Sequence, residues 1–151
     1  MASAERATGW TNSDDLLRAK FEIELNGCAS STGKRWLLQS GILHAQDQNP
    51  FTVATRTYPV YFDYPYEINE NLTITVPNGY SVESVPSPAS LEFNVSSYSQ
   101  STEQGQSKIT IKRKIRIKAI AYNAVSYPAL RKFFAGIHEQ DEQPIALKTQ
   151  Q

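Results

Sequence analysis

An alternation of apolar and basic residues over positions 108–122 constrains the fold of this chain more than any other feature of its sequence. One parity is apolar apart from a single arginine, and its members are Ile109, Ile111, Arg113, Ile115, Ile117, Ala119 and Ala121. The other parity is mostly basic and comprises Lys108, Thr110, Lys112, Lys114, Arg116 and Lys118. Because side chains alternate between the two faces of a strand, the pattern predicts a long β-strand with one buried and one basic face.

Shorter patterns with the same period predict further strands along the chain. They lie at residues 20–25, 35–43, 58–66, 72–76, 80–85, 91–95 and 144–148. Ser40 and Gly41 predict a bend in the second of these, and residues 77–79 (PNG) predict a turn. Residues 96–107 are rich in serine and glutamine and contain no apolar run, so they predict an exposed loop.

One segment near the C-terminus has the spacing of a helix. Its apolar residues fall at i, i+3, i+4 and i+7, and they are Leu130, Phe133, Phe134 and Ile137. Ser126 is a candidate N-cap, and Pro128 is tolerated in a first turn. Roughly seven to nine strands with one late helix predict a mainly β fold, an antiparallel β-sandwich of immunoglobulin-like or related type with one C-terminal helix.

The length of 151 residues suits one domain. Residues 1–15 are polar and small, so they predict a flexible lead-in or linker, followed by a single sandwich domain at residues 16–151. Residues 1–10 lack an apolar h-region, and we expect no signal peptide in this chain. No stretch approaches the roughly 20 apolar residues that span a bilayer, so no membrane span is predicted.

The balanced net charge conceals two halves of opposite sign, because acids dominate residues 1–103 and bases dominate residues 104–151. The split indicates either an anionic partner or two halves that lie against each other in one fold. The basic strand face, with Lys112, Lys114 and Arg116, has two corresponding interpretations. It is either a binding site for an anionic polymer or a solvated face paired with Glu22 and Glu24. It lacks interleaved aromatic residues, so we do not expect nucleic acid as the partner.

Arg113 lies alone among apolar residues on the buried face of the same strand. An unpaired buried charge is too costly, so a buried acid or carbonyl is expected beside it. Asp63 and Glu83 are the candidates that the sequence offers.

A run of tyrosines between two prolines is the second candidate binding surface. Its members are Tyr58, Tyr61, Tyr64 and Tyr66. They are candidates for a sugar-stacking platform or for packing in the core or against another domain. Pro59 and Pro65 indicate that this strand is bent or lies at a sheet edge, and Tyr61, of opposite parity, is predicted to be exposed.

The chain offers little material for catalysis. Cys28, His44 and Asp47 or Asp63 occur in the order of a papain-like or transglutaminase-like triad. However, no helix signal follows Cys28 to stabilise a thiolate, so an incidental loop thiol is the favoured interpretation. We therefore predict no catalytic residue. One cysteine and two histidines also predict no metal site and no cofactor.

Several turns and aromatic anchors resemble a known family. They are the motifs at residues 49–51 (NPF), 56–60 (RTYPV), 76–80 (VPNGY), 82–86 (VESVP), 127–131 (YPALR), 133–134 (FF) and 145–148 (IALK). Over residues 16–148 the chain resembles the C-terminal β-sandwich domain of bacterial secreted transglutaminase-like, papain-fold multidomain proteins of unknown function.

The resemblance implies a non-catalytic accessory domain that packs on a neighbouring transglutaminase-like domain of the same protein. The Cys-His-Asp triad of that family belongs to its central domain, and Cys28 does not inherit the role. A periplasmic or extracellular location is implied by the family alone. Two alternatives remain at this point, namely a module that binds carbohydrate or an anionic envelope polymer and, less favoured, a cysteine hydrolase that uses Cys28 and His44.

Overall fold

The computed structural model describes residues 2–8, 14, 16–23, 27–44 and 49–150. The strands are β1 (Ala2–Thr8), β2 (Arg18–Ile23), β3 (Ala29–Thr32), β4 (Arg35–Gln39), β5 (Val60–Tyr61), β6 (Tyr66–Thr75), β7 (Tyr80–Ser84), β8 (Ala89–Phe93), β9 (Ser96–Gln104), β10 (Lys108–Ile117), β11 (Ala121–Tyr122) and β12 (Pro144–Thr149). A 3-10 turn (Ala124–Ser126) precedes the helix α1 (Tyr127–Asp141). The prediction of a mainly β fold with antiparallel sheets and one C-terminal helix is confirmed.

The strand β10 is an inner strand of the first sheet, which has the order β6-β10-β9-β8. Its alternation is confirmed, since its four isoleucines, Ile109, Ile111, Ile115 and Ile117, are all buried. The neighbouring strands β6 and β9 run antiparallel to it. The buried face of this sheet is therefore the surface on which the rest of the fold packs.

A second sheet covers one half of that buried face. Its order is β3-β4-β12-β7, with the predicted C-terminal strand β12 inside the sheet. Ile145 and Leu147 of β12 pack with Ile109 and Ile111 of β10 in one hydrophobic cluster. This part of the fold is a two-layer sandwich in which apolar side chains of both sheets interlock.

The helix α1 covers the other half of the buried face. Leu130, Phe133 and Ile137 pack with Ile115 and Ile117 in a second hydrophobic cluster. The predicted apolar stripe of the helix is thus confirmed, with Phe134 partly buried beside it.

The cap of the helix differs from the prediction. Ser126 occupies the N-cap position, but its side chain makes no capping hydrogen bond to α1 and donates instead to the Asn123 side chain, at 2.8 Å. Asn123 caps the 3-10 turn by accepting from the Ser126 backbone N–H. The helix therefore begins through a short turn that Asn123 closes, followed by Pro128 in its first turn.

The prediction of an exposed loop at residues 96–107 is wrong. The segment contains β9, which lies between β8 and β10. Its inward residues are Ser96, Tyr98 and Gln100, all buried. Because two of these are polar and are satisfied by other buried groups, the strand carries no apolar alternation in its sequence.

The structure places a strand in the predicted lead-in, because β1 pairs antiparallel with β2. In β2, Phe21 shares the parity predicted to be apolar but is exposed. The division into a lead-in at residues 1–15 and one domain at residues 16–151 stays a prediction.

The chain turns sharply after β4, as Ser40 and Gly41 predict, and approaches the end of α1. The Gly41 backbone N–H donates to the Asp141 carbonyl at 2.9 Å. A Cβ on Gly41 would lie 2.7 Å from the Cβ and 3.0 Å from the carbonyl oxygen of Asp141. Only glycine allows this contact between the turn and the helix end without a shift of backbone.

We expect Gly41→Ala to lower the free energy of unfolding by about 1–3 kcal/mol, because the added methyl group overpacks a backbone contact. Gly136→Ala is the matched control. Its Cβ would lie 3.0 Å from Cδ1 of Leu91, the movable end of a side chain, and alanine favours a helix by about 1 kcal/mol over glycine. Urea denaturation measures both variants, and equal stability of Gly41→Ala and the unmodified protein would contradict the prediction.

Candidate functional site

The tyrosine run does not form one strand, so that part of the prediction is wrong. Only Val60 and Tyr61 are paired, in β5, and β6 begins at Tyr66. Pro59 precedes β5 and Pro65 precedes β6, and both lack the N–H group that a continuous ladder needs.

Three of the four tyrosines are exposed. The exposed fractions are 80% for Tyr58, 74% for Tyr61 and 66% for Tyr64. The exposure predicted for Tyr61 is confirmed. Tyr66 is partly buried, its ring lies 6.4 Å from that of Phe62, and burial raises the pKa of its phenol. The run therefore divides into three surface rings and one ring that belongs to the edge of the core.

The exposed tyrosines stand on a well-packed support. β5 pairs with β11, and the Phe62 backbone N–H donates to the Ile120 carbonyl at 2.8 Å. The Phe62 ring packs edge-on against Phe51 and Tyr122 at centroid distances of 6.2 and 5.8 Å. A buried aromatic cluster thus fixes the backbone from which the surface rings project.

Three further apolar side chains, Val53, Ile120 and Val125, are exposed on segments that join the aromatic cluster or the helix that packs on it. The Tyr127 hydroxyl donates to the Val53 carbonyl at 2.7 Å, and Val125 lies in the turn before α1. We call this set the tyrosine surface: Val53, Tyr58, Tyr61, Tyr64, Ile120 and Val125. The sequence did not reveal the aliphatic members, because single apolar residues in loops carry no period.

The basic face of β10 is paired with acids, but not with the predicted ones. Lys112 binds Glu103 of β9 at 2.5 Å, and Lys114 binds Glu67 of β6 at 2.9 Å. Arg116 also binds Glu67. Glu22 lies in β2, which pairs with β1, and Glu24 lies outside the described residues. The partners come from the flanking strands because β10 is inside its sheet.

Glu67 is the acid that gathers most of these contacts. Its carboxylate accepts hydrogen bonds from Asn69, Lys114 and Arg116, which lower its pKa to about 2. The register places four basic residues and three carboxylates on the outer face of the first sheet. The cations of this face therefore lie among carboxylates. The face is close to neutral rather than strongly basic.

Arg113 is paired as expected, but neither predicted acid is its partner. Its Nε and Nη2 donate to the two oxygens of Asp141 at 2.9 and 2.8 Å, and its Nη1 donates to Glu70 at 2.7 Å. Asp63 is exposed, and Glu83 accepts two hydrogen bonds from Arg35 instead. The side chain of Arg113 is 10% exposed, so the pair with Asp141 is nearly enclosed.

The electrostatics around Arg113 favour its charged form. Burial lowers the pKa of Arg113, but the hydrogen bonds and charges of Asp141 and Glu70 outweigh it and raise that pKa. Burial and the Asp141 carboxylate raise the pKa of Tyr98, whose single hydroxyl proton is shared between Gln100 Oε1 at 2.7 Å and Asp141 Oδ1 at 3.0 Å. Each polar group of this network is therefore paired with another, and the network stabilises the fold.

A cleft of about 510 Å³ opens beside this network, and both histidines of the chain line it. His44 contacts Glu70 at 2.8 Å between Nε2 and Oε1, and His138 lies 3.5 Å from Glu142. The remaining walls are mostly apolar. His44 and His138 are far apart in the sequence, so no motif predicts that they line one cleft.

The residues weighed above as a possible triad lie as follows. Cys28 is exposed in the bend before β3. His44 contacts Glu70, an acid that the sequence analysis did not consider, and Asp47 lies outside the described residues. In the described ranges, no three His, Cys, Asp or Glu residues cluster as a metal site, and no helix has the length and apolar character to cross a bilayer.

The chain belongs to the DUF3858 family, a domain of unknown function with a solved structure, whose family model matches residues 34–147. Among solved structures, it is similar to a putative protease from Parabacteroides distasonis ATCC 8503, with a TM-score of 0.56 and 10% identity. That similarity covers 64% of this chain and 19% of the other, and at this identity it shows the fold alone. No curated protein matches the chain significantly.

Replacing Arg113 by methionine should lower the free energy of unfolding by about 3–5 kcal/mol, because Asp141 and Glu70 would be left as uncompensated charges. Arg116→Met, on the exposed face of the same strand, is the control and should cost about 0–1 kcal/mol. Arg113→Lys keeps the charge but not the bidentate geometry, so its stability should fall between the two. Chemical denaturation would disprove this account if Arg113→Met and Arg116→Met were equally stable.

The depressed pKa of Glu67 predicts how its contribution to stability depends on pH. Folding lowers this pKa, so the contribution is complete above the ordinary value of about 4.5 and disappears as the pH falls through about 2. The ¹³C chemical shift of the Glu67 carboxylate, followed by NMR, should report a midpoint near the lower value. Asn69→Ala should raise that midpoint, and a midpoint near 4.5 in the unmodified protein would refute the assignment.

Proposed function

We propose that this chain is a non-catalytic accessory domain that packs against a neighbouring domain of a longer protein. The DUF3858 fold supports this role, because in the Parabacteroides protein the similar region is 19% of a much longer chain. On the resemblance of the motifs at residues 56–60 and 76–80, the neighbour in the proposal is a transglutaminase-like domain. The same resemblance supports a periplasmic or extracellular location.

The observation that carries the proposal is the exposure of Tyr58, Tyr61 and Tyr64 on one tightly packed support. Aromatic side chains are enriched in the buried centres of protein interfaces, where they supply a large contact area. An isolated exposed apolar residue needs no explanation, but three exposed rings on one short segment favour an interaction surface.

The support under the rings also favours docking. The Phe62 ring stacks on Phe134 at a centroid distance of 6.2 Å, and the Arg131 side chain donates to the Phe51 carbonyl at 3.2 Å. These contacts tie the segment that bears the tyrosines to α1. A surface held in place before binding loses less conformational entropy when a partner docks.

The basic face of β10 is a weaker candidate for a protein interface. Lys112, Lys114 and Arg116 are held by Glu103 and Glu67. A partner would need to displace those acids or match a mixed pattern of charges. The tyrosine surface needs only an apolar partner.

NMR tests the proposal with this chain and the transglutaminase-like domain of a longer family member. Adding the unlabelled domain to ¹⁵N-labelled chain should shift the amide signals of residues 58–64 and 120–125. The double variant Tyr61→Ser/Tyr64→Ser should weaken binding at least about tenfold, as expected when two interface rings are lost. Val95→Ser, which changes another exposed apolar residue, is the matched control.

If the double variant bound the partner with unchanged affinity, the tyrosine surface would not be the docking site. Absence of any shift with a folded partner would overturn the accessory role itself. A melting curve for each variant separates loss of binding from loss of structure.

A further inference from the structure

Six polar side chains form two parallel rows on the outer face of the first sheet, with β10 in the middle. The register pairs Lys112 with Asn71 on one side and with Ser101 on the other. It pairs Lys114 in the same way with Asn69 and Ser99. We call this arrangement the polar grid: Asn69, Asn71, Ser99, Ser101, Lys112 and Lys114.

The dimensions of the polar grid suit one small ligand ring. Neighbouring strands lie about 4.8 Å apart and alternate residues along a strand about 7 Å apart, so the grid measures roughly 10 by 7 Å. A shallow depression of about 300 Å³ lies over it. Its lining residues include all six members of the grid.

The six members of the polar grid include two lysines and no carboxylate. Glu103 and Glu67, which hold the two lysines, pair in register with Thr110 and Arg116, one row beyond the grid on either side. The two carboxylates therefore lie outside the polar grid, and each lysine exchanges its carboxylate for the ligand when a ligand binds between the rows. Each ammonium has three donors, and ion pairs this exposed contribute only about 0–1 kcal/mol, so a ligand can compete for them.

The neutral members of the polar grid supply the remaining hydrogen bonds. Asn69 donates to Glu67 at 2.9 Å. Asn71, Ser99 and Ser101 are exposed, and within the described ranges the structure gives their side chains no protein partner. Amides and hydroxyls both donate and accept, which matches the hydroxyl groups of a sugar.

We propose that the polar grid binds an acidic saccharide unit, in which a carboxylate lies between Lys112 and Lys114 and the ring hydroxyls bond to the asparagines and serines. Two ammonium groups and four neutral hydrogen-bonding groups match one anionic group on a polyhydroxylated ring. The register places no aromatic side chain on this face, so stacking of a neutral sugar or a nucleobase has no platform there. The site is distinct from the tyrosine surface, and the proposal does not depend on the accessory role.

A titration of the ¹⁵N-labelled chain with a galacturonic acid trisaccharide tests the proposal, with a neutral galactose trisaccharide as the matched probe. The acidic probe should shift the amide signals of the polar grid, and added salt should weaken its binding. The neutral probe should bind at least about tenfold more weakly, since it lacks the charge-assisted contacts.

The variant Lys112→Gln/Lys114→Gln keeps hydrogen-bonding side chains and removes both charges. We expect at least about a tenfold loss of affinity for the acidic probe, with an unchanged melting curve. Lys148→Gln, a lysine of β12 in the second sheet, is the control and should bind as the unmodified chain does.

Three results would overturn the proposal: equal affinity for the two probes, equal affinity of the double variant, or shifts that map away from the polar grid. No binding of the acidic probe at about 10 mM would do so as well, because that limit excludes even weak single-site recognition. None of these results bears on the docking experiment with the tyrosine variants, so the two proposals fail separately.

Discussion

The burial of Arg113 is the constraint on which the rest of the structure depends. This arginine lies on the buried face of β10, between the cluster that the second sheet covers and the cluster that α1 covers. A buried guanidinium without partners would be prohibitively costly, so Asp141 and Glu70 must reach it. Asp141 ends α1, and its backbone carbonyl also accepts from the turn at Gly41. Asp141 thereby joins the end of α1 both to β10 and to the turn after β4.

The opposite charges of the two halves of the chain follow from the same packing. Acids from β6 and β9 pair with cations of β10: Glu70 with Arg113, Glu67 with Lys114, and Glu103 with Lys112. The interpretation that the halves lie against each other therefore explains much of the charge split without an anionic partner. The polar grid lies between the paired carboxylates, which are one row beyond it on either side.

The sequence predicts the parts of the fold whose inward residues are apolar and regularly spaced. β10, α1 and β12 are of this kind. β9 escapes prediction because its inward residues, such as Tyr98 and Gln100, are stabilised by hydrogen bonds to other buried groups rather than by apolar periodicity. The sequence does not predict the partner of Arg113, for a related reason. A helical period locates the end of α1, but only the packing of that helix on the sheet brings Asp141 to the arginine.

The two candidate surfaces differ in how far the fold itself accounts for them. Phe62 and Tyr61 are neighbours in sequence, yet Phe62 joins a buried aromatic cluster whereas Tyr61 is 74% exposed. Burial of apolar area is what stabilises a core, so Tyr61 contributes little to folding while its neighbour contributes much. The polar grid shows the converse, since its side chains are the ordinary solvent-facing half of an amphipathic sheet. Folding therefore accounts for the polarity of the grid but not for the tyrosines, and the tyrosine surface is the stronger structural argument for a partner.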